Sequence, residues 1–367
     1  MNQTSVSAEQ KFKVILPGDP APLFKQNSSL MDGFNFDKAA GRYIVMCFYG
    51  TSEQAESAAA LDFIDRNRAL LDSGDICLFA VSIDPEDKQR SVFARRDIRQ
   101  FWDFDRRVSG LYGVVPLEGE LSLRPHWFVL DPTLRIMKVL PFQPDGSERE
   151  ELARFVRNLP PSTHFAGIEV PVPVLVIPNV FEAEFCRHLI SLYDNNGGEE
   201  SGVMRDIEGR TVPVMDFNYK RRSDYNLENE DDVKMAKARI ARRVVPEIQK
   251  VHQFNVTRME RYLVGCYDSV TGGHFTPHRD NTTKGTAHRR FAISINLNAD
   301  FEGGEVSFPE YGPRGFKAPP GTAVVFSCSL LHAVSKVTSG RRYAFLPFVY
   351  DEAAAKIRDA NRSFLAS

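Results

Sequence analysis

The stretch GGHFTPHRDN, residues 272–281, sets His278 and Asp280 two positions apart. On a β-strand, residues i and i+2 point to one face, so this imidazole and this carboxylate can converge on a single point. A third donor must then come from elsewhere in the chain. In FSCSLLHAVSKVTSGRRYAFLPFVY (326–350), His332 follows an apolar strand-like run and precedes a turn. With His278 and Asp280 it completes a set of two histidines and one carboxylate. On one face of iron(II) such a set leaves three open positions, as suits a non-haem oxygenase. The same donors can also hold catalytic zinc. Arg342 lies ten residues beyond His332, on a predicted strand face shared with Ala344, Leu346 and Phe348. A guanidinium among apolar neighbours needs a partner, because an unpaired buried charge is very costly. A carboxylate gripped by two N–H groups is the natural one.

His274 and His288 flank the motif and read as surface residues, or as supports for the ligands. The basic cluster KRRSD (220–224) reads as a solvated face. Its alternative is to border the mouth of the site and meet an acidic substrate.

Elements must carry these side chains to one place. In RRFAISINLN (289–298), Phe291, Ile293, Ile295 and Leu297 alternate with Ala292, Ser294, Asn296 and Asn298. That is a strand with one more polar face. GEVSFP, TAVVFSC and RRYAFLPFVY continue the series, separated by the turns GG, YGPRG, PPG and TSGR. Many short strands with such turns predict a double-sheet jelly roll. Ahead of them, VLVIPNVFEAEFCRHLISLYDNN has Asn179 and Glu182 at capping-box spacing, predicting an amphipathic helix. A second helical stretch runs from about Asp231 to Val251, with a kink at Pro246. The last helix, DEAAAKIRDANRSFL, is expected to pack outside.

The first half reads differently. YIVMCFYG (43–50) is a short apolar run, as in a strand buried on both faces. Thr51 and Gln54 follow at capping-box spacing, and a helical pattern runs through AAALDFIDRNRALL. ICLFAVSID predicts a second strand, PEDKQRSVFARRD a second helix, and HWFVLD and RIMKVLPF two more strands. This order predicts an α/β or α+β sandwich of about 150 residues. NLPPSTHFAGIEVPVP (158–173) carries four prolines and little periodicity, so it reads as a linker. The expected domains are residues 1–160 and 174–367, joined by 161–173.

The 367 residues are 43% hydrophobic and 26% charged, a composition that supports two cores. A net charge of -2 gives no support to a nucleic-acid-binding surface. No apolar run approaches the roughly 20 residues of a membrane helix, and MNQTSVSAEQKFKV has no leader-like apolar core. Cys47, Cys77, Cys186, Cys266 and Cys328 are scattered, with no C-x-x-C pair, and read as buried thiols in a reducing compartment. The expected location is the cytoplasm.

Residues 174–352 resemble the iron(II)- and 2-oxoglutarate-dependent oxygenases of the prolyl 4-hydroxylase type. CYDSVTGGHFTPHRD, FEGGEVSFPEYG, PPGTAVVF and HAVSKVTSGRRYAFLPF carry the likeness. The resemblance implies a double-stranded β-helix in which His278, Asp280 and His332 bind Fe(2+). It makes Arg342, rather than Arg341, the anchor for the far carboxylate of 2-oxoglutarate, and it lays Tyr267 against that co-substrate. Asn296 stands where some relatives use a tyrosine for a further contact. The implied reaction decarboxylates 2-oxoglutarate to succinate and uses O2 to hydroxylate an unactivated C–H bond of a small-molecule or peptidyl substrate. L-ascorbate is the expected reductant for the iron.

Residues 10–157 resemble the peroxiredoxin and redoxin branch of the thioredoxin fold. PGDPAPLF, VMCFYGTSEQAES, AVSIDPEDKQR, DFDRRVSGLYGVVP and RPHWFVLDPTLRI carry this likeness. Those proteins place a reactive cysteine in the first turn of the helix after the first core strand. Here Ser57 stands at that place, Gln54 replaces the usual threonine, and Glu53 and Glu56 fall where a C-x-x-C pair would align. The resemblance therefore implies a structural or partner-docking domain. Thiol-dependent peroxidase activity through Cys47 or Cys77, or a non-catalytic binding role for the whole chain, are the alternatives.

Overall fold

In the computed structural model, which describes residues 11–90 and 99–364, all eight residues of β1 (Tyr43–Gly50) are buried. A run without a polar face suits a strand covered on both sides. The chain divides into two compact units, one of Met1–Val170 and Glu310–Gly312, the other of Pro171–Pro309 and Pro313–Ser367.

The first unit adds α1 (Ala55–Arg66), β2 (Ile76–Ser82), β3 (Arg99–Trp102), β4 (His126–Leu130), β5 (Ile136–Pro141) and α2 (Ser147–Arg157). The sheet order is β3-β2-β1-β4-β5. β1, β2 and β3 are parallel, while β4 and β5 are antiparallel additions. Val45, Cys47 and Tyr49 pack one sheet face against Ala60, Leu61 and Ile64 of α1 and Leu152 and Val156 of α2. The strand Arg99–Trp102 and the helix Ser147–Arg157 were not among the sequence expectations. The helix expected over 85–97 is only a 3-10 turn at Pro85–Lys88, and 91–97 lie outside the described residues. The Thr51–Gln54 capping box does not form. Helix α1 starts at Ala55 without a side-chain cap, and Thr51 Oγ1 donates instead to Asp84, at 2.6 Å.

The second unit opens with β6 (Leu175–Ile177) and α3 (Ala183–Asn196). Asn179 takes a left-handed conformation, φ 57°, so α3 begins after Glu182 and not at the expected cap. There follow β7 (Val203–Ile207), β8 (Arg210–Val214), β9 (Lys220–Arg221), β10 (Ser223–Asn226), α4 (Glu230–Arg243) and α5 (Val245–His252). The break between α4 and α5 falls at Val244, with Pro246 in the first turn of α5. That is where a residue lacking an N–H belongs.

Further strands are β11 (Arg258–Glu260), β12 (Leu263–Asp268), β13 (His274–His278), β14 (Phe291–Asn296), β15 (Val306–Ser307), β16 (Gly315–Phe316), β17 (Ala323–Ser327), β18 (His332–Val334), β19 (Ser339–Phe345) and β20 (Phe348–Tyr350). Helix α6 (Glu352–Ala360) ends the series, burying only Ala354.

These strands form two antiparallel sheets. The larger runs β11-β20-β14-β19-β12-β10, with β17 paired to both β14 and β6; the smaller runs β9-β13-β18-β15-β16. One face of the larger sheet is apolar: Val264, Cys266, Ile293, Ile295, Tyr343 and Phe345 pack on Phe185, Leu189, Ile240 and Ile248 of the helices. Each fully buried side chain of this kind stabilises the fold by about 1.5–3 kcal/mol. By alternation, Tyr267, Ser294, Asn296, Arg342 and Ala344 occupy the opposite face. The polar face legible in RRFAISINLN is thus turned away from the helical core.

Candidate active site

His278 ends β13 and His332 opens β18, and the two are direct cross-strand partners. The register between β13 and β18 shifts between Phe275 and His278. A bulge of this kind re-aims side chains. Here it brings the Phe275 ring flat against His278, with centroids 3.4 Å apart. Asp280 lies just past the strand, where its amide donates to the Cys328 carbonyl at 2.9 Å. Tertiary pairing, not strand alternation alone, therefore aims this carboxylate. Its oxygens sit 3.6 Å from His278 Nε2 and 3.3 Å from His332 Nε2. The donor atoms of all three residues lie within 4.8 Å of one another.

Protonation follows from the backbone contacts. His278 Nδ1 lies 2.8 Å from the Thr276 carbonyl, and His332 Nδ1 lies 3.0 Å from that of Leu330. A carbonyl only accepts, so each Nδ1 carries its proton and each Nε2 presents a lone pair. Burial, and then the neighbouring His332, lower the His278 pKa to about 4, against the opposing pull of Asp280. Two lone pairs facing a carboxylate are mutually repulsive unless a cation stands between them. The donor set therefore fits a divalent metal.

Arg342, on β19, is 1% exposed. Its Nε donates to Asn296 Oδ1 at 2.9 Å and its Nη2 to Ser294 Oγ at 3.0 Å. Both partners are neutral, and Nη1 is buried with no hydrogen-bond partner. Burial depresses the guanidinium below its ordinary pKa. Gly304 lies alongside at φ 68°, where an added Cβ would sit 3.0 Å from Arg342 Cδ. This gives the GGE turn a steric reason. Tyr267, on β12, is directly opposite Arg342 in the register, so both point to the same face. The two guanidinium groups of Arg342 and Arg222 stand 5.1 Å and 5.7 Å from the Tyr267 ring centroid. Asn296, through Oδ1, fixes the Nε end of the Arg342 fork.

The KRRSD cluster is not a solvated face. Lys220, Arg222 and Asp224 are 4%, 7% and 8% exposed. Arg222 donates from Nε to Asp224 Oδ1 at 2.6 Å and from Nη2 to Oδ2 at 2.7 Å, and Nη1 reaches the Tyr267 hydroxyl at 3.4 Å. Burial would raise Asp224, but Arg222, with Arg261 and Lys220, holds it down at about 2. The pair crosses the larger sheet over Gly265, where a Cβ would lie 3.0 Å from Arg222 Cδ and 3.2 Å from Asp224 Oδ1. The sequence carried one signal for it: Arg222 and Asp224 are spaced by two, like His278 and Asp280. Charge content overrode that signal.

Neither flanking histidine joins the triad. His274 meets the backbone oxygens of Gly272 and Asn218, and His288, 3% exposed, pairs with Glu260 at 2.9 Å. In the first unit, Ser57 is fully buried and its hydroxyl donates to the Tyr49 carbonyl at 2.7 Å. Cys47 is equally buried and its thiol is pushed well up; burial also raises Cys77. All five cysteines are buried and unpaired.

Residues 260–350 match the model of the 2OG-Fe(II) oxygenase superfamily. A PKHD-type hydroxylase of Synechococcus sp. is 29% identical over 94 residues, 24% of this chain and 41% of that protein. One from Pseudomonas fluorescens is 37% identical over 91 residues, 22% of this chain and 39% of that protein. The chain thus spans about two fifths of the length of the curated relatives it matches. Among solved structures, a Trichoplax adhaerens prolyl hydroxylase in complex with a hypoxia inducible factor peptide aligns with TM-score 0.42 and 15% identity, over 51% of this chain and 86% of that one. A yeast mitochondrial 1-Cys peroxiredoxin aligns with TM-score 0.36 and 16% identity, over 44% of this chain and 83% of that one. No helix among the described residues is long and apolar enough to cross a membrane. The C-terminal region of this chain carries a 2OG-Fe(II) oxygenase domain.

Proposed function

We propose that this chain is a prolyl 4-hydroxylase-like dioxygenase, using Fe(2+), 2-oxoglutarate and O2 to hydroxylate an unactivated C–H bond, with succinate as co-product. His278, Asp280 and His332 would hold the iron, and Arg342, with Tyr267 beside it, the far carboxylate of 2-oxoglutarate. The observation that carries this reading is the pairing of three donors within 4.8 Å with a buried guanidinium whose Nη1 keeps both of its N–H groups unspent. Iron and 2-oxoglutarate, once bound, supply the oxidising power.

The protein's own residues supply placement. The carbonyls of Thr276 and Leu330 fix the tautomers and tilts of the two imidazoles. Ser294 and Asn296 hold the Arg342 fork and leave Nη1 without a hydrogen-bond partner. Phe275, Phe308 and Phe326 line the histidine rings and keep water from them.

The two antiparallel sheets support the jelly-roll reading, with the oxygenase domain at 174–367. The domain at 1–160 would be thioredoxin-like and serve in docking, because its cysteines are buried and Ser57 is bonded to backbone. Ascorbate as reductant and a cytoplasmic location complete the proposal.

Anaerobic addition of Fe(II) and 2-oxoglutarate should give a weak visible charge-transfer band that Asp280→Ala removes. In air, succinate release across a panel of small-molecule and peptidyl substrates, with a gain of one oxygen by mass spectrometry, identifies the substrate. A wild type without the band, or a band undiminished in Asp280→Ala, overturns the assignment.

A further inference from the structure

Three buried or half-buried cations, Lys220, Arg222 and Arg261, gather about the single carboxylate of Asp224. Arg222 and Arg261 both donate to Asp224, with Arg261 at 3.1 Å. Lys220 has no carboxylate partner among the described residues. Its ammonium donates to Ser201 Oγ at 2.6 Å and to the Gly202 carbonyl at 3.0 Å. An ammonium has three N–H groups, so one is left over. The group is also close to the chemistry. Lys220 is the direct cross-strand partner of Phe275, with Nζ 5.2 Å from that ring, and the same ring lies against His278. The charge of Asp280 is felt at both Lys220 and Arg261.

Burying an ammonium without a counter-charge is destabilising by itself. Here burial, and then the Arg222 charge, depress Lys220 to about 6, so near neutral pH the side chain holds its third proton firmly only when an anion arrives beside it. Nothing in the hydrophobic core needs this side chain. An unbranched apolar residue such as methionine would avoid that cost. Its chemistry is explained by an anion that arrives from outside. Arg342 already serves the co-substrate in the reading above, whereas Arg222 and Arg261 are spent on Asp224.

We propose that Lys220, backed by Arg222 and Arg261, receives a carboxylate of the prime substrate, so that the substrate is an organic acid or an acidic peptide. This rests on the oxygenase reading and adds the substrate class to it. A carboxylate fits better than a phosphate dianion, because Lys220 has a single N–H to spare.

The test uses the full chain loaded with substoichiometric Mn(II) and with 2-oxoglutarate, and acetate as the probe. Paramagnetic relaxation of the acetate methyl protons should report binding near the metal, whereas acetamide should show none. Lys220→Met should weaken acetate by about tenfold or more, and Lys220→Arg should restore most of it. The affinity for 2-oxoglutarate should stay the same in all three proteins. Propionate, and the blocked dipeptide N-acetyl-prolyl-glutamate amide, each beside its uncharged amide, tell a free acid from an acidic residue in a peptide. Thermal melting checks that each variant is folded, and the arginine variant keeps the charge should the methionine variant fail. The proposal is overturned if acetamide binds as well as acetate, if Lys220→Met binds acetate like the wild type, or if acetate competes with 2-oxoglutarate. A wild type that does not bind 2-oxoglutarate overturns the oxygenase reading alone. The carbon chemical shift of acetate titrated into metal-free wild type and Lys220→Met then decides the anion site separately.

Discussion

Arg342→Met removes the charge and keeps an unbranched, flexible side chain two atoms shorter. In the wild type the guanidinium is 1% exposed and bonded to two neutral groups, so its charge waits unpaired. A bound carboxylate makes it a buried ion pair. Truncating one partner of such a pair costs about 2–5 kcal/mol. At about 1.4 kcal/mol per decade, 2-oxoglutarate should bind from about thirtyfold to several thousandfold more weakly. The unliganded variant behaves otherwise. Ser294 and Asn296 each lose a donor, at about 1–3 kcal/mol apiece. Against this, relief of a buried, unpaired charge returns several kcal/mol. The two effects nearly offset, and the unliganded melting temperature should move little. Calorimetric titration of the Mn(II)-loaded proteins gives the affinities. Thermal melting with 2-oxoglutarate at one hundred times the wild-type Kd should stabilise the wild type by about 2.7 kcal/mol and the variant by no more than about 0.9 kcal/mol. An affinity within threefold of wild type, or equal protection of both proteins, would show that Arg342 is not the anchor.

Further predictions address the neighbouring charges and the first unit. Asp224 titrates at about 2, below its ordinary 3.8, so it contributes stability that is present above about pH 4 and lost as pH falls through about 2. That proton-linked part is about 2 kcal/mol. Asp224→Asn should forfeit at least this much at pH 7, and its deficit should shrink near pH 2; urea unfolding at both values measures it. Gly265→Ala should lower stability by about 1–3 kcal/mol, because the new methyl meets Arg222 Cδ, Asp224 Oδ1 and Leu346 Cδ1 at 2.9–3.2 Å. An unchanged melting temperature would mean that the pair does not press on the sheet. Ser57→Cys places a thiol where redoxins keep theirs, but at a fully buried position bonded to the Tyr49 carbonyl. It should show no peroxide turnover, and measurable peroxide consumption would reinstate a redox role.

The amino-acid sequence by itself determined which residue types were available for chemistry and at what spacing. His278 and Asp280 two apart, a distal His332, and Arg342 ten residues later are local facts of order along the chain. The alternation in RRFAISINLN likewise announced a strand with one polar face, because side-chain direction in a strand has a period of two. The chain also announced the break at Pro246, since proline cannot donate a helical N–H.

Only the tertiary structure decided what lies across from what. That His278 faces His332, that Tyr267 faces Arg342, and that Ser294 and Asn296 supply the two bonds to its guanidinium are matters of strand register. Register depends on pairing between distant segments and leaves no periodic trace within either one. Lys220 and Arg222 carry the same lesson for burial. Their charge marks them as surface residues, and only the enclosing sheets, with Asp224 opposite Gly265 and Phe275 turned inward by a bulge, put them inside. Polarity measures the free-energy cost of burying a side chain, but the partners that offset the cost are brought by the fold.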